Sequence, residues 1–143
     1  MGRIGQRGDI MSETPVTNQG AGGSVGAVDF DGMMTIGDRY PGIGQPNMPV
    51  IRFLRLCVEE GHRLILNTCR MGQRLEEAVA WCDCAGVKFA AVNENLPERV
   101  ARYGGDPRKI SADWYLDDRN LAFENIKTWP EEILEVWERA NPD

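Results

Sequence analysis

The segment Ala27-Val28-Asp29-Phe30-Asp31-Gly32 runs from apolar residues straight into two carboxylates one residue apart, then a glycine. Residues i and i+2 of a strand project to the same side. A strand over Ser24–Phe30 therefore presents Asp29 and Asp31 together at its carboxyl end. In open α/β sheets that end borders the ligand crevice. Two bare carboxylates about 5 Å apart repel by roughly 3 kcal/mol at an effective dielectric near 20. A fold that keeps them together needs a cation there, or a proton on one acid.

Downstream, apolar patterns of period 3.6 alternate with short apolar runs. Val50, Ile51, Leu54, Cys57 and Val58 predict a helix near Pro49–Glu60, with Asn47 as its cap and Gly61 as its stop. Arg63–Thr68 reads as a second strand. A second helix is expected at about Gln73–Ala85, with Leu75, Ala78, Val79 and Cys82 on one face and Gly86 at its end. Lys88–Val92 is a third strand, Pro97–Tyr103 a short helix and Ala112–Leu116 a fourth strand leading into Asp117-Asp118. The last helix starts at Pro130, with Glu131 and Glu132 in the turn where the dipole favours acids. Ile133, Leu134 and Trp137 form its inward face. Gly32–Pro49, dense in glycine and proline, reads as a loop. Such alternation predicts βαβ units: a three-layer Rossmann-like α/β sandwich around a mostly parallel sheet. That domain is expected over residues 24–140, and residues 1–23, without apolar periodicity, as a flexible extension with Met11 as an alternative start.

A chain of 143 residues has room for one domain with a sizeable core. Its net charge of −6 argues against general nucleic-acid binding, which needs a lysine and arginine surplus, though a nucleotide could still be a substrate. Cys57, Cys69, Cys82 and Cys84 make no C-x-x-C pair and His62 is the sole histidine, so a zinc site is not expected. On a helix Cys82 and Cys84 point about 200° apart and cannot share a metal. Free thiols suit a reducing cytoplasm. No run approaches the roughly 18 apolar residues of a membrane span.

Three strand ends carry reactive groups: Asp29 and Asp31; Thr68, followed by Cys69 and Arg70; and Asp117 with Asp118. A parallel sheet delivers all three to one edge. Each has an ordinary explanation alone: D-x-D-G is more often a turn, Asp117-Asp118 a cap and Thr68 a routine strand residue. Four carboxylates and a hydroxyl converging on one edge would be costly without a ligand.

Val28-Asp29-Phe30-Asp31-Gly32, Leu66-Asn67-Thr68 and Trp114-Tyr115-Leu116-Asp117-Asp118 together resemble the first, second and fourth motifs of the haloacid dehalogenase-like (HAD) phosphohydrolases. The chain is also similar to small bacterial and phage members over Tyr40-Pro41-Gly42-Ile43-Gly44, Gly61-His62-Arg63-Leu64-Ile65-Leu66, Glu76-Glu77-Ala78-Val79-Ala80-Trp81-Cys82, Ala91-Val92-Asn93-Glu94-Asn95 and Asp117-Asp118-Arg119-Asn120-Leu121. The resemblance implies a Mg²⁺-dependent phosphatase working through an aspartyl-phosphate. Asp29 would attack phosphorus, and Asp31 would protonate the leaving oxygen and then activate water. Asp29, the Asp31 backbone carbonyl and Asp117 would hold the metal, with Asp118 orienting a metal-bound water. Thr68 would bind a phosphoryl oxygen, and a lysine would offset charge. Lys109 fits that role best, with Lys88 as competitor and Arg108 also open.

The family's first motif usually continues D-x-D-G-T/V, whereas the fifth position here is Met33 and Thr35 cannot be assumed to replace it. That departure implies tuning rather than loss, since the position neither attacks nor binds metal. No cap domain fits between the motifs. The loop 32–49 can only be a small flap, with Arg39 and Tyr40 as substrate contacts and Arg70 as another; solvated side chains are the alternative for all three. An uncapped site admits a bulky phosphorylated molecule or an exposed phosphoryl group, or is closed by a second subunit. Hydrolysis and transfer to another acceptor both stay open. Two competing readings are a receiver-like metal-binding module, disfavoured by the motif order, and a non-catalytic HAD fold serving in assembly.

Overall fold

The structure, a computed structural model, describes residues 23–119 and 129–142. The expected extension up to residue 22, and Asn120 and Leu121 of the last similar stretch, lie outside the described residues. The elements are β1 (Val25–Val28), β2 (Thr35–Ile36), β3 (Gln45–Pro46), α1 (Met48–Glu59), β4 (Arg63–Leu66), α2 (Gly72–Cys84), β5 (Ala91–Val92), α3 (Pro97–Tyr103), β6 (Trp114–Leu116) and α4 (Glu131–Ala140).

β1, β4, β5 and β6 form a four-stranded parallel sheet in the order β5-β4-β1-β6, flanked by helices, as a Rossmann-like three-layer sandwich requires. The register aligns Val28 with both Leu66 and Leu116, so β1, β4 and β6 end level with one another. Period two along the strands divides the core. Val28, Leu64, Leu66, Trp114 and Leu116 face the larger cluster, built with Ile51, Phe53 and Leu54 of α1, Ala78 and Cys82 of α2, and Ile133 and Val136 of α4. Val25, Ala27 and Ile65 face a smaller one closed by Leu96 and Ile110. Gly26 lets β1 run under the Trp114 indole: a Cβ there would sit 2.2 Å from the ring.

Several local expectations change, and β1, β4 and β6 are each shorter than the strand expected there. The loop 32–49 contains a two-residue antiparallel ladder, Thr35 with Pro46 and Ile36 with Gln45, too short to leave a periodic trace. Asn47 does stand at the N-cap of α1, but its side chain does not cap; its Nδ2 donates to the Met33 carbonyl at 3.0 Å and ties the flap to the helix. In α4 the buried residues are Ile133 and Val136, with Leu134 and Trp137 half-buried. Trp137 instead packs on Phe53 and Trp129, with ring centroids 5.4 and 5.8 Å away. β5 shrinks to Ala91–Val92, because only that stretch pairs in register with β4.

Candidate functional site

The sheet's carboxyl edge is built by three strands that stop together. Asp29 follows β1, and its N–H donates to the Leu116 carbonyl at 2.9 Å, which prolongs the pairing with β6 to the residue before Asp117. Asn67 N–H donates to the Val28 carbonyl at 2.8 Å and does the same on the β4 side. These bonds fix where the side chains leave the backbone.

Asp29, Asp117 and Asp118 converge: one carboxylate oxygen from each lies within 4.8 Å of the others. This is the juxtaposition that the strand-end argument requires. Among the described residues none of the three is paired with a lysine or arginine. Asp117 Oδ1 accepts from Arg119 N–H at 2.8 Å, and Asp29 Oδ1 accepts from Phe30 N–H at 2.9 Å. Burial raises the Asp29 carboxyl to about 7, with Asp117 and Asp118 adding repulsion against the Phe30 hydrogen bond. An all-oxygen, partly desolvated acidic cluster suits a hard divalent cation, which would remove that repulsion. Gly32 makes the cluster sterically feasible. It has φ +81, and a Cβ there would fall 2.2 Å from Asp118 Oδ2.

Asp31 lies beside this cluster, yet its side chain is not part of it. Its two oxygens accept from Arg70 Nε at 2.8 Å and Nη2 at 2.7 Å. Arg70 is thus no accessible substrate contact and no solvated loop side chain: its side chain is 1% exposed. Hydrogen bonding to Asp31 raises the Arg70 pKa further, against the opposing effect of burial. The sequence reading missed this pair because Asp31 and Arg70 meet only in three dimensions.

Thr68 is half-buried at the end of β4. Its Oγ accepts from Arg70 N–H at 3.1 Å, so its hydroxyl hydrogen is left to donate elsewhere. Its own N–H donates to Asn93 Oδ1 at 2.8 Å. Asn93 sits at φ 54, a region that asparagine tolerates. Asn95, buried, donates from Nδ2 to Asp106 and to the carbonyls of Pro107 and Lys109, and accepts from Ser111 N–H. These two asparagines therefore position Thr68 and the loop carrying Lys109. Sequence reasoning passed over them, although Ala91–Asn95 was among the similar stretches.

Lys109 is exposed, with Nζ 5.5 Å from the centroid of the Tyr115 ring. Tyr115 pairs with Ala27, two residues before Asp29. Lys88 precedes β5 and pairs with Asp83 at 3.5 Å, at the end of the strand away from the acids. Arg108 is exposed in the same loop as Lys109. Met33 is buried in the core. Thr35, also buried, accepts from Gly32 N–H and donates to the Gly37 carbonyl, both at 3.1 Å, which braces the turn after the paired acids. Arg39 and Tyr40 are exposed on the flap. Arg39 lines a cavity of about 360 Å³ with Ile36, Gly42, Ile43, Gly44 and Gln45.

A solved structure of a conserved protein from Bacteroides thetaiotaomicron is 41% identical in sequence and aligns with a TM-score of 0.62, over 70% of this chain and 79% of that one. The chain belongs to the family of that protein. No family model and no curated protein matches the sequence. Among the described residues no helix is long and apolar enough to cross a membrane.

Proposed function

We propose that this protein is a Mg²⁺-dependent phosphatase of the HAD type, acting on phosphomonoesters through an aspartyl-phosphate. The observation that carries the reading is the convergence of Asp29, Asp117 and Asp118 from two strand ends within 4.8 Å. The three acids, with the Asp31 backbone carbonyl, would hold the ion. When bound, it supplies charge neutralisation that lets a phosphate approach carboxylates.

Asp29 attacks phosphorus and carries the phosphoryl group until water removes it. Thr68 donates its hydroxyl hydrogen to a phosphoryl oxygen. Lys109 offsets charge on the intermediate by leaving the Tyr115 ring. Asp31 gives a proton to the leaving oxygen and takes one from the attacking water. To hold that proton, one Asp31 oxygen must let go of Arg70, since a protonated oxygen cannot accept from the guanidinium as a carboxylate does. Arg39 and Tyr40 on the flap meet the rest of the substrate.

The Asp31–Arg70 pair also favours a second reading, a HAD-fold module that binds a metal without turnover, because the pair occupies both oxygens of the proton carrier. Hydrolysis of an aryl phosphate in Mg²⁺ separates the two. Turnover that disappears with chelator and with Asp29→Asn supports the phosphatase. Metal binding with no turnover on phosphorylated metabolites, nucleotides and phosphopeptides supports the module.

A further inference from the structure

Among the described residues, Arg70 alone joins by hydrogen bonds the paired-acid turn and the tip of the flap. Its Nε and Nη2 take the two oxygens of Asp31 in a parallel fork. Its Nη1 and Nη2 reach the carbonyls of Pro41 and Gly42. Phe30, beside the acids, and Tyr40, on the flap, each place a ring centroid 5.1 Å from the guanidinium carbon. We propose that Arg70 is the positioning residue of this site, a splint that holds the Asp31 carboxylate and the Tyr40–Gly42 turn as one unit.

A planar fork sets the rotation of a carboxylate, which a point-charge ammonium does not. A guanidinium this buried must keep its donors satisfied, so lifting the turn uncovers part of a buried cation. Flap movement and Asp31 orientation are then coupled. The turn borders the Arg39-lined cavity, so whatever fills that cavity acts on the carboxylate through Arg70. The kinetic part of this inference rests on the phosphatase reading; the mechanical part does not.

The test uses the full chain and the variants Arg70→Lys and Arg70→Gln, each checked for folding by circular dichroism. Trypsin cleavage after Arg39, followed by mass spectrometry without substrate, reads the flap. Both variants should be cut roughly ten-fold faster than the parent, as expected when a buried hydrogen-bonded tie is lost. With an aryl phosphate in Mg²⁺, kcat should fall roughly 100-fold and KM change little, the cost of a misplaced reacting group. Lysine should do no better than glutamine. Parental cleavage rates in both variants, or full kcat in Arg70→Lys, would overturn the splint. If neither variant folds, Asp31→Asn approaches from the other side: its amide accepts through one oxygen only, so Arg39 cleavage should again accelerate, and unchanged cleavage refutes the coupling. Faster cleavage in a protein whose parent hydrolyses no phosphomonoester supports the splint while removing the phosphatase reading. Unchanged cleavage in an active enzyme does the reverse.

Discussion

β6 has an aspartate at each end, and the two live in opposite surroundings. Asp113, before the strand, accepts from Val25 N–H at 2.8 Å and from Arg99 at 3.2 Å. Close by, Trp114 Nε1 donates to Ser24 Oγ at 2.9 Å, while Ser24 N–H and Oγ both reach His62 Nδ1 at 3.0 Å. Two donors aimed at Nδ1 make it the lone-pair nitrogen. Asp117, after the strand, meets two more carboxylates and, among the described residues, no cation. One end of the sheet satisfies its polar groups and so stabilises the fold. The other accumulates like charge, the pattern of a site that awaits a ligand.

The largest test of this contrast is Asp29→Asn. Turnover should drop by roughly 10⁴-fold or more, as when a nucleophile is removed. The melting temperature at neutral pH without metal should rise, because a repelled, half-buried charge is gone. A loss of stability would break the comparison. At the other end Ser24→Ala strands the Trp114 N–H and should cost about 1–3 kcal/mol in a denaturant titration, with kcat unchanged. Asn95→Ala lies between the two cases. It should cost a similar 1–3 kcal/mol and also lower kcat, since its loop carries Lys109.

The pH dependence of stability should carry opposite signs at the two ends. Asp29 is raised from 3.8 to about 7, chiefly by burial, so the native state holds a proton that the unfolded chain has lost. Metal-free stability should therefore fall as pH rises between those values, and Mg²⁺ should flatten that fall. His62 is lowered from 6.5, chiefly by burial, so its stabilisation is present above that pH and lost as pH falls through the lowered value. Melting curves of Asp29→Asn and His62→Gln across this range should each lose one slope. If Asp29→Asn keeps the falling slope, burial of that carboxylate is not its source.

Local chemistry made much of this legible. Pro97–Tyr103 emerges as a helix over those same residues, opened by proline and closed by Gly104 at φ 72. The acids at the ends of β1 and β6 could be paired in advance because a parallel sheet leaves few alternatives for strand ends. The flap ladder could not, since two residues per strand carry no period and glycines hide the rest. Arg70 could not either: it stands two residues after Thr68 in sequence, and only the folded flap shows that it turns inward to Asp31. Val136, rather than Leu134, joins Ile133 on the buried face of α4, because packing against α1 as well as helical periodicity selects that face.

Position 32 leaves no room for drift. Gly32 faces Asp118 so closely that alanine would have to push that carboxylate aside or reshape the turn. A saturation library screened for metal-induced thermal shift should therefore return mostly glycine at this position, where φ is +81, while Met33 next door accepts other bulky apolar side chains. Sequence change on this scaffold has room at the exposed flap tip and little beside the Asp118 carboxylate.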